Sequence, residues 1–233
     1  FKSATYVNRP SDITASLTVE GISLSWETID KYSNFILYKR VKGENDWKEL
    51  TKTTVSNTTY HDKAVSSGVV YEYAIKAVSA DGTFESGLSS IKEVIFLSKI
   101  ETVKVSSYAG GVKVSWSAVN GAEEYAVYRR LSTGSWEVIK TVSASTLSYK
   151  DTKAESGKDY SYTVRAIAKG YRSAYQKYDI YYLAAPKITK FDSQVGKGIT
   201  VKWGAVSGAE KYYLYKKTSG SEWKKIATTE NIR

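Results

Sequence analysis

The segment ISLSWETI (residues 22–29) recurs as VKVSWSAV (112–119) and ITVKWGAV (199–206), and this repetition decides the fold. The tryptophans of the three segments are 90 and 87 residues apart. A second tryptophan follows each of them after 21, 20 and 20 residues, and a tyrosine with two basic residues lies between the two. The landmarks in chain order are Trp26, Tyr38-Lys39-Arg40 and Trp47; Trp116, Tyr128-Arg129-Arg130 and Trp136; Trp203, Tyr215-Lys216-Lys217 and Trp223. A constant register in three copies indicates tandem repeats of about 90 residues.

The boundaries of the repeats follow from similar segments at their edges. Pro10, Ile100 and Pro186 lie 16, 16 and 17 residues before the first tryptophan of their copies, each preceded by an aromatic-aliphatic pair. We therefore predict the following units: the end of an upstream repeat with a linker at residues 1–9, complete repeats at 10–97 and 98–183, and the N-terminal half of a third repeat at 184–233. The third copy should have the early strands and lack the late ones.

Within each repeat, apolar residues alternate with polar ones. Ile22, Leu24 and Trp26 show this period of two, which is typical of a half-buried strand. The late segments Tyr71-x-Tyr73-x-Ile75-x-Ala77 and Tyr160-x-Tyr162-x-Val164-x-Ala166 show it again. Asn-Gly, Asp-Gly and Ser-Gly pairs separate the strands, and no stretch has a helical period. The sequence predicts an all-β chain of tandem immunoglobulin-like antiparallel sandwiches, two complete and one truncated.

The same residues carry a family resemblance that covers nearly the whole chain. The early tryptophan, the aromatic-x-Val strand and the late Tyr-x-Tyr strand resemble fibronectin type III domains, with Tyr71 and Tyr160 where that family places its tyrosine corner. The sequence of residues 121–168 is similar to that of tandem modules in large surface and secreted proteins of Gram-positive bacteria. The resemblance implies a fold rather than one function, because this fold hosts many roles. No Arg-Gly-Asp occurs, so integrin binding of the animal kind has no support.

The sequence contains few residues of the types that perform catalysis, and we predict no enzyme, no cofactor and no metal site. There is no cysteine or methionine, and His61 is the single imidazole. The adjacent Glu123 and Glu124 are interpreted as a solvated loop. Asp62 and Asp151 recur after a tyrosine, and we predict that their short carboxylates accept hydrogen bonds from turn amides.

Charge is distributed unevenly along the chain, whose formal net charge is +10. Residues 10–98 carry 9 basic and 12 acidic side chains, net −3, whereas 99–183 carry 13 and 8, net +5. Residues 184–233 are net +6, with 10 basic and 4 acidic side chains. A nucleic-acid binder is expected to be basic throughout, so nucleic acid is not a predicted partner. No apolar run reaches the ~20 residues that a membrane span needs.

One recurring set of residues suggests a binding surface. If the apolar positions of the Tyr-basic-basic strand face the core, its tyrosine and last cation point outward, together with a cation of the neighbouring late strand. We call these sets outer strip 1 (Tyr38, Arg40 and Lys76), outer strip 2 (Tyr128, Arg130 and Arg165) and outer strip 3 (Tyr215 and Lys217). Tyrosine and arginine are frequent at binding hot spots, which suggests a host protein, a glycan or an anionic cell-wall polymer as partner. Cross-strand pairing that merely stabilises a solvent face explains the same residues.

Two functions remain open on the sequence alone. The first is a non-catalytic extracellular array that acts as a stalk or presentation module of a bacterial surface protein, with an adhesive role. The second is a carbohydrate-binding accessory module of a secreted polysaccharide-degrading enzyme. Both place the chain outside the cell, at the surface or secreted.

Overall fold

The computed structural model describes residues 7–29, 34–54 and 56–230. All regular secondary structure in these ranges is β-strand. Of the predicted end of an upstream repeat at residues 1–9, residues 1–6 lie outside the described residues. Within them, no helix is long and apolar enough to cross a membrane.

The first repeat is a sandwich of two antiparallel sheets. Its strands are β1 (Thr14–Leu17), β2 (Ile22–Ser25), β3 (Asn34–Val41), β4 (Lys48–Thr53), β5 (Thr59–Asp62), β6 (Val70–Val78) and β7 (Lys92–Ile95). One sheet has the order β1-β2-β5 and the other the order β4-β3-β6-β7. This division of seven strands into three and four, with β3 beside β6, is the arrangement of a fibronectin type III domain and confirms the predicted fold.

The second repeat follows the same plan with one added short strand. Its strands are β8 (Val103–Tyr108), β9 (Gly111–Trp116), β10 (Glu124–Leu131), β11 (Glu137–Ser143), β12 (Ser148–Asp151), β13 (Lys158–Ala168), β14 (Tyr171–Arg172) and β15 (Tyr178–Tyr182). The sheets are β12-β9-β8 and β11-β10-β13, with both β14 and β15 paired to β13.

The alternating residues of the strands form the two cores as predicted. Trp26 and Trp116 are 5% exposed and pack edge-on against Phe35 and Tyr125, with ring centroids 6.1 and 5.6 Å apart. Emptying such an aromatic site costs about 3–5 kcal/mol, so these tryptophans are major contributors to stability.

The tyrosine corners implied by the family resemblance are present. The Ser66 amide donates a hydrogen bond to the Tyr71 hydroxyl at 2.9 Å. In the second repeat the Glu155 amide donates to the Tyr160 hydroxyl, also at 2.9 Å. Each bond joins residues five positions apart, so the tyrosine fixes the turn that leads into its own strand.

The third repeat has four described strands. They form two hairpins: β16 (Ile188–Gln194) with β17 (Gly198–Trp203), and β18 (Tyr212–Lys216) with β19 (Lys224–Thr229). Trp203 remains buried at 7% exposure and packs on Tyr212, with ring centroids 5.6 Å apart. An apolar cavity of about 460 Å³ opens beside this pair.

Candidate functional site

The predicted site residues lie on the outer face of the larger sheet because the strand period of two leaves no other position for them. Phe35 and Leu37 are fully buried in the first core, so Tyr38 and Arg40 project from the opposite face of β3. The neighbouring β6 pairs with β3 along its length and carries Lys76 on the same face. The second repeat repeats this arrangement with β10 and β13.

In outer strip 1, both cations are held by carboxylates. The Arg40 Nε donates to the Glu72 Oε2 at 2.5 Å, and the guanidinium lies 4.4 Å from the centroid of the Trp47 ring. The Lys76 Nζ is 3.1 Å from the Glu85 Oε2. This surface is therefore internally neutralised.

In outer strip 2, both cations lie against aromatic rings. The Arg130 guanidinium lies 4.8 Å from the centroid of Trp136, and that of Arg165 lies 5.4 Å from the centroid of Tyr175. The two rings are themselves in edge-to-face contact, 6.0 Å apart at 80°. The result is a continuous row of cation, aromatic, aromatic and cation across the sheet. Tyr128 lies on the same face between the two arginines.

Neither arginine of outer strip 2 forms an ion pair within 4 Å with any described carboxylate. Ser161 stands opposite Arg130 in the register, where the first repeat has Glu72 opposite Arg40. Ser161 donates instead to Asp179 at 2.6 Å, and Lys177 binds the other carboxylate oxygen at 2.8 Å. These two bonds lower the pKa of Asp179, and the Arg130 charge adds a smaller contribution.

In outer strip 3, only the cation-aromatic pair recurs. The Lys217 Nζ lies 5.2 Å from the centroid of Trp223, just beyond β18. Tyr215 is half exposed, and Trp223 is 60% exposed. The described part of the third repeat has no late strand to supply a counterpart of Lys76 or Arg165.

Sequence reasoning missed a buried polar cluster that the middle basic residue forms in the first two of the Tyr-basic-basic segments. Lys39 faces the core side, and its Nζ lies 2.6 Å from the Asp62 Oδ2, which also accepts a hydrogen bond from the Tyr73 hydroxyl at 2.7 Å. We call this inner triad 1. The signal was present in the sequence, since a residue between two outward-facing positions must point inward.

Inner triad 2 repeats the geometry with arginine as the cation. The Arg129 Nη1 lies 3.0 Å from the Asp151 Oδ2, and the Tyr162 hydroxyl donates to the same oxygen at 2.7 Å. The Asp151 Oδ1 accepts the Lys153 amide at 3.0 Å, as the Asp62 Oδ1 accepts that of Ala64. The predicted turn-amide role of both aspartates is therefore confirmed, and the second oxygen of each has a further role in the triad.

The tyrosines of the inner triads are held in their neutral form. Burial raises the pKa of Tyr73 and of Tyr162, and the hydrogen bond to the neighbouring aspartate raises it further. Removing one partner of a buried charge pair is strongly destabilising, because the other charge is left unpaired. The inner triads thus act as structural ties between the two sheets of a repeat.

The residues weighed for catalysis stay apart from one another. The His61 Nε2 lies 3.4 Å from the Thr18 hydroxyl at the edge of the smaller sheet. Glu123 and Glu124 are exposed, and the Glu123 carboxylate accepts the Lys169 amide at 3.2 Å. Across residues 7–29, 34–54 and 56–230, no three His, Cys, Asp or Glu side chains form a group that could hold a metal ion.

Consecutive repeats are joined by the same hydrogen-bonded contact at both junctions. At the first, the Ser67 hydroxyl donates to the Asn120 carbonyl at 3.0 Å, and the Asn120 side-chain amide donates to the Ser67 carbonyl at 2.8 Å. At the second, the Ser156 hydroxyl donates to the Ser207 carbonyl at 2.8 Å. Each serine also accepts an amide from the segment that leads into the next repeat, that of Ser98 or Ala184, at 3.0 Å.

Apolar packing extends the first junction. Ile95, on the last strand of the first repeat, is 5% exposed and belongs to the core cluster of the second repeat. In the opposite direction, Tyr171 of β14 packs against the core of the first repeat, and its hydroxyl donates to the Glu93 carbonyl at 2.9 Å. The two repeats therefore share a continuous interface.

Comparisons with known proteins add a limited sequence similarity. No protein-family model matches the chain. A stretch of 85 residues is 38% identical to an amylopullulanase of Thermoanaerobacter thermohydrosulfuricus; it covers 35% of this chain and 6% of that protein. The chain thus spans a small fraction of this relative's length.

Among solved structures, the chain is similar to fibronectin domains 1–3 of chicken CNTN1, with 16% identity and a TM-score of 0.40, over 74% of this chain and 66% of that one. It is also similar to a segment of two fibronectin type III domains of chicken tenascin, with 20% identity and a TM-score of 0.39, over 74% and 99% of the two chains.

Proposed function

We propose that the chain is a non-catalytic extracellular array that holds the parts of a bacterial surface protein at a set distance and angle, as a stalk or presentation module. The observation that carries this proposal is the contact at the junction between consecutive repeats. It occurs at both junctions, each time between a serine hydroxyl and a backbone carbonyl of the next repeat. An array that only tethered its neighbours would need no such contact.

The geometry of the junction accounts for its stiffness. Gly121 has φ +81° and approaches Gly68 so closely that a Cβ at position 121 would overlap the Gly68 Cα. The serine hydroxyl then binds the linker and the neighbouring loop at once, and the shared apolar interface excludes water from one side. Hydrogen bonds, close backbone contact and packing together oppose hinge motion, which is otherwise the default between domains.

The substitution Gly121→Ala tests the proposal with a matched control in the same repeat. Gly170 has a similar φ of +79°, but a Cβ there has nothing within 4 Å. Both alanines carry the backbone strain of a positive φ, and only the one at 121 collides with the neighbouring repeat. The chain contains no cysteine, so spin labels can be attached cleanly at Lys48→Cys and Lys140→Cys.

Electron-electron distance measurements between these labels should give a narrow distribution in the parent and in Gly170→Ala. The distribution should broaden in Gly121→Ala. A broad distribution in the parent, or equal broadening in both variants, would show that the repeats are flexibly tethered and would remove the basis of the proposal.

A second candidate is an accessory module beside a polysaccharide-degrading catalytic domain. The sequence similarity to an amylopullulanase supports it, and so do the solvent-facing aromatic residues of the outer strips. This function requires saturable binding of a neutral polysaccharide such as pullulan, and a stalk does not. Titration calorimetry of the chain with pullulan separates the two.

A further inference from the structure

We infer that outer strip 2, with Trp136 and Tyr175, binds a sugar that carries a carboxylate, as found in uronic-acid polymers, and that outer strip 1 does not. This inference goes beyond the proposed stalk function and is independent of it, since a rigid or a flexible array can present such a site.

The charge of outer strip 2 calls for an acidic partner. Arg165 is oriented by bonds from its Nε to the Ser173 carbonyl at 2.7 Å and from its Nη2 to the Arg172 carbonyl at 3.3 Å. Neutral carbonyls hold the guanidinium in place without cancelling its charge. Arg130 is held by its stack on Trp136, and its buried Nε has no hydrogen-bond partner among the described residues. Both guanidinium groups are positioned, and neither forms an ion pair with a described carboxylate. Carboxylate ligands suit such groups, because arginine binds a carboxylate through two parallel hydrogen bonds.

The acidic side chains near outer strip 2 do not neutralise its two arginines. The charges of Asp179 and Arg130 act on each other. Both oxygens of this carboxylate are already engaged, because Lys177 forms an ion pair with one and Ser161 donates a hydrogen bond to the other. Glu137 lies beside Arg129 of the inner triad, 3.4 Å from its Nη2. The cationic excess of outer strip 2 therefore remains available to a ligand.

The aromatic part of the row favours a sugar over other acidic molecules. Tyr175 is 45% exposed and stands edge-to-face against Trp136, so ring surface and charge lie side by side. A uronic acid has the same juxtaposition, since its carboxylate is bonded to a carbon of a sugar ring whose C–H groups form an apolar face. A linear phosphate polymer offers charge without the ring. An acidic peptide that adds as a strand needs an unpaired edge, and β10 and β13 are paired on both sides.

Outer strip 1 lacks unpaired cations and the counterpart of Tyr175, and it supplies an internal control. Glu72 and Glu85 neutralise its cations. Ser86 and Ser173 hold equivalent places, since their hydroxyls accept the amides of Ala77 and Ala166 at 2.9 and 3.0 Å. Two residues further on, the first repeat has Leu88 where the second has Tyr175. The second aromatic ring is thus specific to the second repeat.

The test uses the whole chain and two matched probes, tetragalacturonate and its neutral methyl ester. Calorimetry should show one saturable site for the acid and none for the ester. We expect the double substitution Arg130→Gln with Arg165→Gln to weaken binding about a hundredfold or more, because the loss of each charged hydrogen-bond pair weakens it about tenfold or more. Tyr175→Leu, which introduces the residue of the first repeat, should weaken it several-fold. Lys76→Gln in outer strip 1 should leave it unchanged.

Each alternative ligand gives its own result, and each overturns the inference. Equal binding of acid and ester points to a neutral glycan, and tighter binding of a polyphosphate of equal charge points to a phosphate polymer. If Lys76→Gln weakens binding as much as the double arginine substitution does, the attraction is a general effect of charge. If no saturable binding is observed, outer strip 2 has only a structural role.

Direct observation guards against a variant that fails to fold. In the parent chain, the indole N–H resonance of Trp136, identified with Trp136→Phe, should shift on addition of tetragalacturonate while that of Trp47 stays in place. The spin-label distance distribution should not change on binding, so the outcome here is separable from that for the stalk.

Discussion

Outer strips 1 and 2 each have a tyrosine and two cations at equivalent positions, yet the first surface is neutralised and the second is cationic. In the first repeat, Glu72 and Glu85 bind the cations. In the second, Ser161 replaces the first of these glutamates, and the rings of Trp136 and Tyr175 hold the arginines. A motif repeated in sequence is therefore not a repeated site, because its charge depends on residues across the neighbouring strand.

The inner triads behave in the opposite way. Lys39 and Arg129 differ in type, but each binds an aspartate that also accepts a tyrosine hydroxyl, at distances between 2.6 and 3.0 Å. The carboxylates of the two faces differ in burial. The triad aspartates are 2% exposed at the side chain, against 9% for Glu72 and 47% for Glu85. A buried charge must keep its partner, and this requirement weakens as the carboxylate becomes more exposed.

The largest expected effect is the loss of a triad aspartate. Asp151→Ala leaves the Arg129 charge and the Tyr162 hydroxyl without their buried partner, and we expect a loss of about 3–5 kcal/mol in the free energy of unfolding of the second repeat. Asp62→Ala should cost the first repeat a similar amount. Hydrogen exchange of the β9 and β2 amides reports each repeat separately.

The control for this prediction is Asp159→Ala, which removes an exposed carboxylate from the same repeat and should change stability by less than about 0.5 kcal/mol. If Asp151→Ala costs no more than that control, the triad is not a structural tie, and the two faces of the sheet do not differ in the way described.

Alkaline pH should weaken both repeats through the triad tyrosines. An unfolded tyrosine loses its proton near pH 10, whereas the raised pKa of Tyr73 and Tyr162 keeps them protonated in the fold. Their contribution is therefore complete below pH 10 and falls above it, by about 1.4 kcal/mol per pH unit for each tyrosine. Denaturant unfolding at pH 9, 10 and 11 measures the slope.

Tyr162→Phe is the matched variant for the alkaline effect. It should be less stable than the parent at neutral pH, because its hydrogen bond to Asp151 is lost, and it should lack the steep decline of the second repeat above pH 10. An unchanged decline would assign the alkaline sensitivity to other groups.

A smaller effect is expected from transferring the ligand surface to the first repeat. Glu72→Ser frees Arg40, and Leu88→Tyr supplies the missing second ring. The double variant should bind tetragalacturonate at two sites instead of one, with affinities within about tenfold of each other, or 1.4 kcal/mol. Calorimetric stoichiometry measures this, and a stoichiometry that stays at one would show that additional features of the second repeat are required.

The smallest effect concerns the exposed pair of outer strip 1. Glu85→Gln removes the carboxylate that pairs with Lys76. The side chains of Glu85 and Lys76 are 47% and 29% exposed. Surface pairs of this kind contribute about 0.2–1 kcal/mol. Thermal unfolding should show a shift of no more than a few degrees, and a larger loss would mean that the carboxylates of outer strip 1 have a structural role beyond neutralisation.

The sequence by itself determined the repeat plan and the two faces of each strand. The recurrence of Trp26, Trp116 and Trp203 predicted the sandwich cores, and the period of two predicted that Tyr38, Tyr128 and their companion cations face outward. The tyrosine corners at Tyr71 and Tyr160 followed from the family resemblance. These features are local, since the pleat of a strand sends alternate side chains to opposite faces wherever the strand lies.

Only the tertiary structure decided what each outward or inward residue contacts. The partners of Arg40, Arg130 and Lys39 depend on the register between strands that are distant in the chain, and alternation along one strand does not specify that register. Tyr175 lies between β14 and β15, and its contact with Trp136 joins residues that are 39 positions apart in the chain. The junction contacts likewise depend on how one repeat meets the next. Long-range register and packing, rather than local pattern, thus separate a neutral strip from a cationic one.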